Sequence, residues 1–327
     1  MSETPGHELI AVTTRNGFDE SYHYGSLVVF GPSGEVEFTV GNPDIEIYGR
    51  SSNKPMQAVA MVRSGLDVPP ELLALVCASH SGTPHHLDGV RTLLTLGGFD
   101  SAALANTADY PLDDDAAHDT RRGGGLKTAL QMNCSGKHAG MLVTCRRNRW
   151  ACDASYLSPE HPLQQRITDT IDELAEVDHT HVGVDGCGAP AHVIALSGLA
   201  HAFRTIAIGG SAADRAVFAA MTTHPFNVGG PGRDVTGFME AVPGLMAKDG
   251  AEGVYAAALP DGRAVALKIA DGGDRARPSV LAAALAGLGV DVLPARAAWS
   301  VPINGHGRPV GIVRPSQALA AWSGMAW

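Results

Sequence analysis

Short runs of β-branched and aromatic residues open and close the chain, and helical spacing of apolar residues fills much of the stretch between them. Residues 9–14, 24–30 and 36–40 predict strands, the last two joined by Gly31-Pro32-Ser33-Gly34, a turn sequence between β-rich flanks. Pro55 suits the first turn of a helix over 56–64, a second helix is expected over 71–78, and Thr83-Pro84 would cap a third over 85–96. Residues 163–175 predict another helix, and 181–184 a short strand that ends in Asp185-Gly186-Cys187-Gly188-Ala189-Pro190. The C-terminal third returns to sheet. Residues 253–259 and 263–270 flank Pro260-Asp261-Gly262, the clearest hairpin signal in the chain, and 307–313 predicts a closing strand after an Ala/Leu-rich helix over 277–288. Residues 109–125, acidic and then Arg- and Gly-rich, predict a long surface loop. Sheet, helices and sheet in that order predict an α/β (α+β) fold, with an antiparallel sheet domain built from 1–54 and 181–327 and a mainly helical domain of 55–180 inserted in it.

Met132 to Met141 breaks this regular pattern with chemistry. Asn133, Cys134, Ser135, Lys137 and His138 place an amide, a thiol, a hydroxyl, an amine and an imidazole within six residues. They run directly into Ala139, Met141, Leu142 and Val143, which predicts a buried helix starting here. A helix N-terminus offers free N–H donors and partial positive charge, which favour a thiolate and attract a carboxylate or oxyanion. Gly136 and Gly140 let the backbone approach a neighbour closely.

Composition narrows the partners. At 327 residues and 45% hydrophobic content the chain can bury a sizeable core. A formal net charge of −10, with no basic run or aromatic-rich basic stripe, argues against a nucleic-acid partner and for a small-molecule substrate. No run of about 18 apolar residues is present to span a membrane, and the first residues lack signal-peptide features, which predicts a cytoplasmic protein. The five cysteines are irregularly spaced, against a disulfide framework, so catalytic, metal-binding or buried thiols are expected.

Other clusters carry further candidates. In Ser51-x-x-Lys54, winding into the first turn of a helix would bring hydroxyl and amine onto one face, where a lysine of lowered basicity can take the serine proton. Ser79, His80 and Ser81 end an apolar helix beside Gly82. Lys268 interrupts a strand that is apolar on both faces, where a charge needs a partner or must reach water. Cys134, Lys137, His138 and Cys187 form a zinc-like donor set in which His138 is chemically a more ordinary ligand than Lys137, and a Cys134–Cys187 disulfide is the rival. Residues 123–128 resemble a phosphate loop but carry Leu126 where glycine must precede the lysine, and no Gly-x-Ser-x-Gly elbow is present.

Together, Arg50-Ser51-x-x-Lys54-Pro55, Ala78-Ser79-His80-Ser81-Gly82, residues 133–140, residues 185–190 and Ala266-Leu267-Lys268-Ile269-Ala270-Asp271-Gly272 resemble the asparaginase II family, the Rhizobium etli type of L-asparaginase. The resemblance runs in matching order from about residue 50 to 272. It implies a fold similar to serine β-lactamases and glutaminases, a homodimer, and hydrolysis of L-asparagine to L-aspartate and ammonia. By resemblance Ser51 and Lys54 form one Ser–Lys pair, and Lys268 pairs with a serine of the Ser79–Ser81 segment, Ser79 being preferred. A zinc site carries over to Cys134, Lys137 and Cys187, with Arg50, His138 and Asp185 as substrate contacts. Met132 before Asn133 departs from the family pattern, and neither Ser-Asp-Asn nor Lys-Thr-Gly of true β-lactamases occurs. The rival functions are a glutaminase or β-lactamase-like acyl hydrolase using the same pairs, and a non-catalytic zinc-dependent binding protein.

Overall fold

A computed structural model describes residues 6–327. Its strands are β1 (Glu8–Arg15), β2 (Phe18–Phe30), β3 (Val36–Val40), β4 (Glu46–Tyr48), β5 (His181–Val184), β6 (Pro190–Ala195), β7 (Met246–Gly250), β8 (Val254–Ala258), β9 (Ala264–Ile269), β10 (Pro302–Gly305) and β11 (Arg308–Pro315). The main sheet runs β10-β11-β1-β2-β9-β8-β7, with β3 also on β2, and every pairing is antiparallel. Both chain ends therefore build one sheet, because β1 lies between β2 and β11. A small sheet, β4-β6-β5, stands apart.

The helices are α1 (Lys54–Arg63), α2 (Pro70–Val76), α3 (Pro84–Leu96), α4 (Asp114–Arg122), α5 (Ser135–Asn148), α6 (Pro162–Ala175), α7 (Leu196–Ile208), α8 (Ala212–Thr223), α9 (Pro225–Val228), α10 (Asp234–Ala241), α11 (Arg277–Gly287), α12 (Arg296–Trp299) and α13 (Gln317–Ser323). α7 and α11 pack on β9, while α1, α2, α3, α5 and α6 pack on one another. The residues from Ser135 to Cys145 are all buried, so α5 forms the centre of the helical layer. Gly136 permits that position: a Cβ there would collide with the Leu75 carbonyl of α2.

One expectation needs correction. Residues 109–125 are not an unstructured loop, since Asp113 caps α4 by accepting the Ala116 N–H at 2.8 Å. Asp114 and Asp115 then occupy its first turn and Arg121 and Arg122 its last, each sign where the helix dipole favours it. An Asp109–Thr128 bridge closes the segment. Residues 196–241, to which the sequence reading assigns no element, carry α7 to α10. The signals were present: Leu196, Leu199, Ala200, Phe203 and Ile206 repeat at helical spacing, and Ser211 with Asp214 forms a capping box. No helix among the described residues is long and apolar enough to cross a membrane.

Candidate active site

Three segments converge on Lys54. A 3-10 turn over Arg50–Asn53 leads into α1 and sets Lys54 at its first position, with only 1% of the residue exposed. Arg50 adopts a left-handed backbone at φ 49°, a strained state for a residue with a side chain. The Ser79–Ser81 segment runs extended between two neighbours: Ser79 and Ser81 donate N–H to Val228 and Gly229 carbonyls, and His80 to that of Asn133. That alternation points Ser79 and Ser81 to one side and His80 to the other. Lys54 Nζ donates to the Ala78 carbonyl at 2.6 Å and to Ser79 Oγ at 2.9 Å. Ser81 Oγ instead donates to the Gly229 carbonyl at 3.0 Å, and His80 Nε2 lies 2.8 Å from Ser135 Oγ.

The expected Lys268–Ser79 pair is not formed. Lys268 Nζ donates to the Glu252 and Ile269 carbonyls, and the half-buried side chain stays at the end of β9. The reason is local: two backbone oxygens of the β8–β9 neighbourhood satisfy the ammonium where the strand ends. A second buried lysine, Lys248 on β7, is tied to the cavity wall through Asp249: its Nζ lies 2.6 Å from both the Asp249 carbonyl and Asp249 Oδ1. Burial, with Lys54 and Arg233 adding to it and Asp249 opposing, lowers the Lys248 pKa to about 8. About a tenth of the amine is therefore neutral at pH 7, against far less for an ordinary lysine. Burial pushes the Asp249 carboxyl up, but Lys248, Arg233 and Arg277 outweigh it and hold the group well below the usual range. Arg233 bonds Asp249 Oδ2 with one nitrogen and the Ser79 carbonyl with the other, the latter at 3.3 Å. The overlooked signal was Lys248-Asp249-Gly250, a charged pair in a strand that is otherwise buried apolar residues.

A cavity of about 370 Å³ opens on these groups, lined by Ser51, Ser79, Leu112, Asn133, Arg233, Asp249, Gly250, Ala251, Asp274 and Arg277. Leu112 comes from the segment that carries α4, so that segment does border the site. A larger cavity, about 620 Å³ beside α11 and the C-terminus, is lined by none of the candidate residues.

The sulfur cluster lies beyond Asn133. Cys134, Cys187, Met132 and Ala189 pack together, and Lys137 Nζ donates to Cys187 Sγ at 3.2 Å. A hydrogen bond from Cys187, together with Lys54 and Lys137, overcomes burial to hold Cys134 well below an ordinary thiol. The same hydrogen bond and burial push Cys187 up. The five cysteines are all free. Burial would lower Lys137, but Cys187, Cys134 and Asp185 raise it above an ordinary lysine. His138 Nδ1 lies 2.9 Å from the Tyr156 hydroxyl, whereas its buried Nε2 has no protein partner. Burial and then Lys137 lower its pKa to about 4, so the ring is neutral. Arg50 Nε and Asp185 Oδ1 pair at 2.9 Å. Among the described residues, no group of three or more His, Cys, Asp or Glu side chains is arranged to hold a metal, and this cluster's third donor is a lysine.

The family model for L-asparaginase II matches residues 11–315. Three solved structures are similar in part. A β-lactamase from Mycobacterium bovis is 18% identical, with 81% of this chain and 94% of that chain covered and a TM-score of 0.38. Mglu in its Tris and glutamate form is 14% identical, covering 79% and 57% of the two chains with a TM-score of 0.38. EstCE1, a hydrolase with promiscuous acyltransferase activity, is 12% identical, covering 80% and 93% with a TM-score of 0.42. No curated protein matches the chain.

Proposed function

Because the chain belongs to the L-asparaginase II family of amidohydrolases, we propose that it hydrolyses the side-chain amide of L-asparagine to L-aspartate and ammonia. The observation that carries this reading is the Lys54–Ser79 hydrogen bond at the wall of a polar cavity, with a second buried amine, Lys248, bonded to the cavity-lining Asp249. An unactivated amide needs a nucleophile, a proton acceptor and a stabilised tetrahedral oxyanion. Ser51 and Ser79 both line the cavity, but Ser79 is held by Lys54 and nearly buried, whereas Ser51 is more open. In our proposal Ser51 attacks the amide carbonyl and its proton passes through Ser79 to the Lys54 amine. The C–N bond then breaks, and ammonia leaves with a proton returned from the lysines, Lys248 serving as the second carrier. Water next attacks the acyl ester on Ser51, and the serine takes back its proton. Arg50 and Asp185 offer one cation and one anion beside Ser51 for the substrate α-carboxylate and α-ammonium, with His138 as a further contact.

A zinc site belongs to the same proposal. Two sulfurs, one with its pKa held low, and an amine nitrogen meet in a buried cluster faced by the unpartnered Nε2 of His138. This donor set fits Cys134, Lys137 and Cys187 as ligands once the thiols and the amine give up their protons. A bound zinc would supply a fixed positive charge and Lewis acidity at the cavity edge, and it requires no change in the proton path through Ser79. A homodimeric, cytoplasmic protein completes the reading, and light scattering tests the dimer.

Ammonia release from asparagine, glutamine and a β-lactam, measured side by side on the purified protein, tests the function. Preferred turnover of glutamine or of the β-lactam would replace asparagine as substrate. Unimpaired ammonia release by Ser51→Ala and Ser79→Ala together would remove the serines.

A further inference from the structure

Lys248 sits at one end of a continuous set of contacts whose other end is the candidate serine. Lys54 holds Ser79 Oγ, Arg233 holds the Ser79 carbonyl, Arg233 also holds Asp249, and Asp249 holds Lys248 through both its carboxylate and its carbonyl. Asp249 is thus divided between two cations. Oδ1 serves Lys248 and Oδ2 serves Arg233. A buried carboxylate facing Lys248 alone would fix that amine as ammonium, while a second cation on the same carboxylate withdraws part of that stabilisation. Arg277 adds to the effect from α11, donating to the Gly250 carbonyl at 2.6 Å and lining the same cavity.

We propose that Arg233 and Asp249 are positioning residues that set the protonation of Lys248 from opposite sides, Asp249 favouring the ammonium and Arg233 the neutral amine. The inference rests on the reading of Lys248 as a proton carrier in amide hydrolysis. Other charged or titratable groups bear on the trio: Lys54 from α1, the Cys77 thiol after α2, Asp234 at the start of α10, Tyr255 on β8 and Arg277 from α11. α8, which also packs against β7, carries charge only at Asp214 and Arg215 in its first turn. None of these hydrogen-bonds to Lys248 or to the carboxylate that holds it. Arg233 bonds that carboxylate at the cavity wall and the Ser79 carbonyl as well, so its loss alters the proton carrier and the seat of the serine together.

The test is the pH profile of kcat/KM for asparagine in the parent and in Arg233→Gln, Arg233→Lys and Asp249→Asn. Arg233→Gln leaves Lys248 as the one cation hydrogen-bonded to Asp249, and the limb assigned to Lys248 should move to higher pH by about one unit, a tenfold change in the neutral fraction. Asp249→Asn removes the anion, and the limb should move to lower pH by a similar amount. Arg233→Lys keeps the cation and should return the limb towards the parent position. A merely structural role for either residue lowers activity at every pH without displacing the limb in opposite senses. Limbs that stay in place, or that move the same way in Arg233→Gln and Asp249→Asn, overturn the inference. A lysine-selective NMR titration of the resting protein, with the Lys248 signal assigned through Lys248→Gln, reads the same shifts in a variant too slow to assay. If Lys248→Gln keeps full activity, the catalytic reading of Lys248 falls, and the NMR titration still decides whether Arg233 and Asp249 tune it.

Discussion

Lys54 and Ser79, 25 residues apart in sequence, meet at 2.9 Å because α1 and the extended segment after α2 cross at the cavity wall. The same amine also donates to the Ala78 carbonyl. Two acceptors on one buried amine fix its direction, so the lysine is held ready for one serine rather than free to sample several.

Removal of that amine should therefore abolish turnover without unfolding the protein. Lys54→Met keeps the apolar stem while deleting the amine. We expect ammonia release from asparagine to fall by roughly a hundredfold or more, the usual scale for losing a positioned base. Loss of less than threefold, with a native melting curve, would rule out a catalytic role for Lys54.

The two other lysines raised by the sequence and the structure separate cleanly. Lys248→Gln is expected to cost at least an order of magnitude in kcat/KM. Lys268→Gln loses two carbonyl contacts at a strand end and should stay within about twofold of the parent. The reverse ranking, measured on the same preparation, would restore Lys268 to the site.

Metal content tests the sulfur cluster independently of activity. Protein purified without chelator is expected to carry about one zinc per chain by elemental analysis, in line with a single three-donor site. Cys187→Ala should lose most of it. An unchanged zinc content in this variant would take Cys187 out of the site, and reducing agent leaving the parent unaltered would confirm that no Cys134–Cys187 disulfide is involved.

Acid should weaken the fold through His192. Burial and then His179 lower its pKa from 6.5 to about 4, and its Nε2 lies 2.8 Å from Thr168 Oγ1. Between those values the unfolded chain binds a proton that the folded chain refuses. Stability from this group is therefore complete above about pH 6.5 and is lost as pH falls towards 4, by roughly 3 kcal/mol. Melting temperatures of the parent and His192→Gln, compared from pH 7 to 4, should converge at low pH. Parallel curves would show that His192 does not contribute.

Gly136 offers a packing test. A methyl group there meets the Leu75 backbone, which cannot rotate away. Gly136→Ala should cost about 1–3 kcal/mol and shift the start of α5, which carries Lys137. A melting temperature within a degree of the parent would contradict the close contact.

Much of the architecture was written in local pattern. β1, β3, β5 and the β8–β9 hairpin follow from β-rich runs and turn residues, and α5 begins at Ser135, just after the polar cluster at Cys134. The family motifs, too, were legible, because each is a short stretch whose side chains and glycines act together. α7 to α10 escaped although their signals were present, since alanine-rich helices and apolar strands look alike over short windows.

Pairing was another matter. The sequence by itself determined which residue types were present: serines, amines and thiols too costly to bury without partners. Only the tertiary structure decided who partners whom. Lys248 and Lys268 both interrupt apolar strands, but the end of β9 supplies Lys268 with carbonyl oxygens, while the neighbourhood of β7 gives Lys248 only Asp249 to offset two other cations. Such choices depend on where distant segments cross, and the free energy of a buried charge is set by those neighbours rather than by its place along the chain.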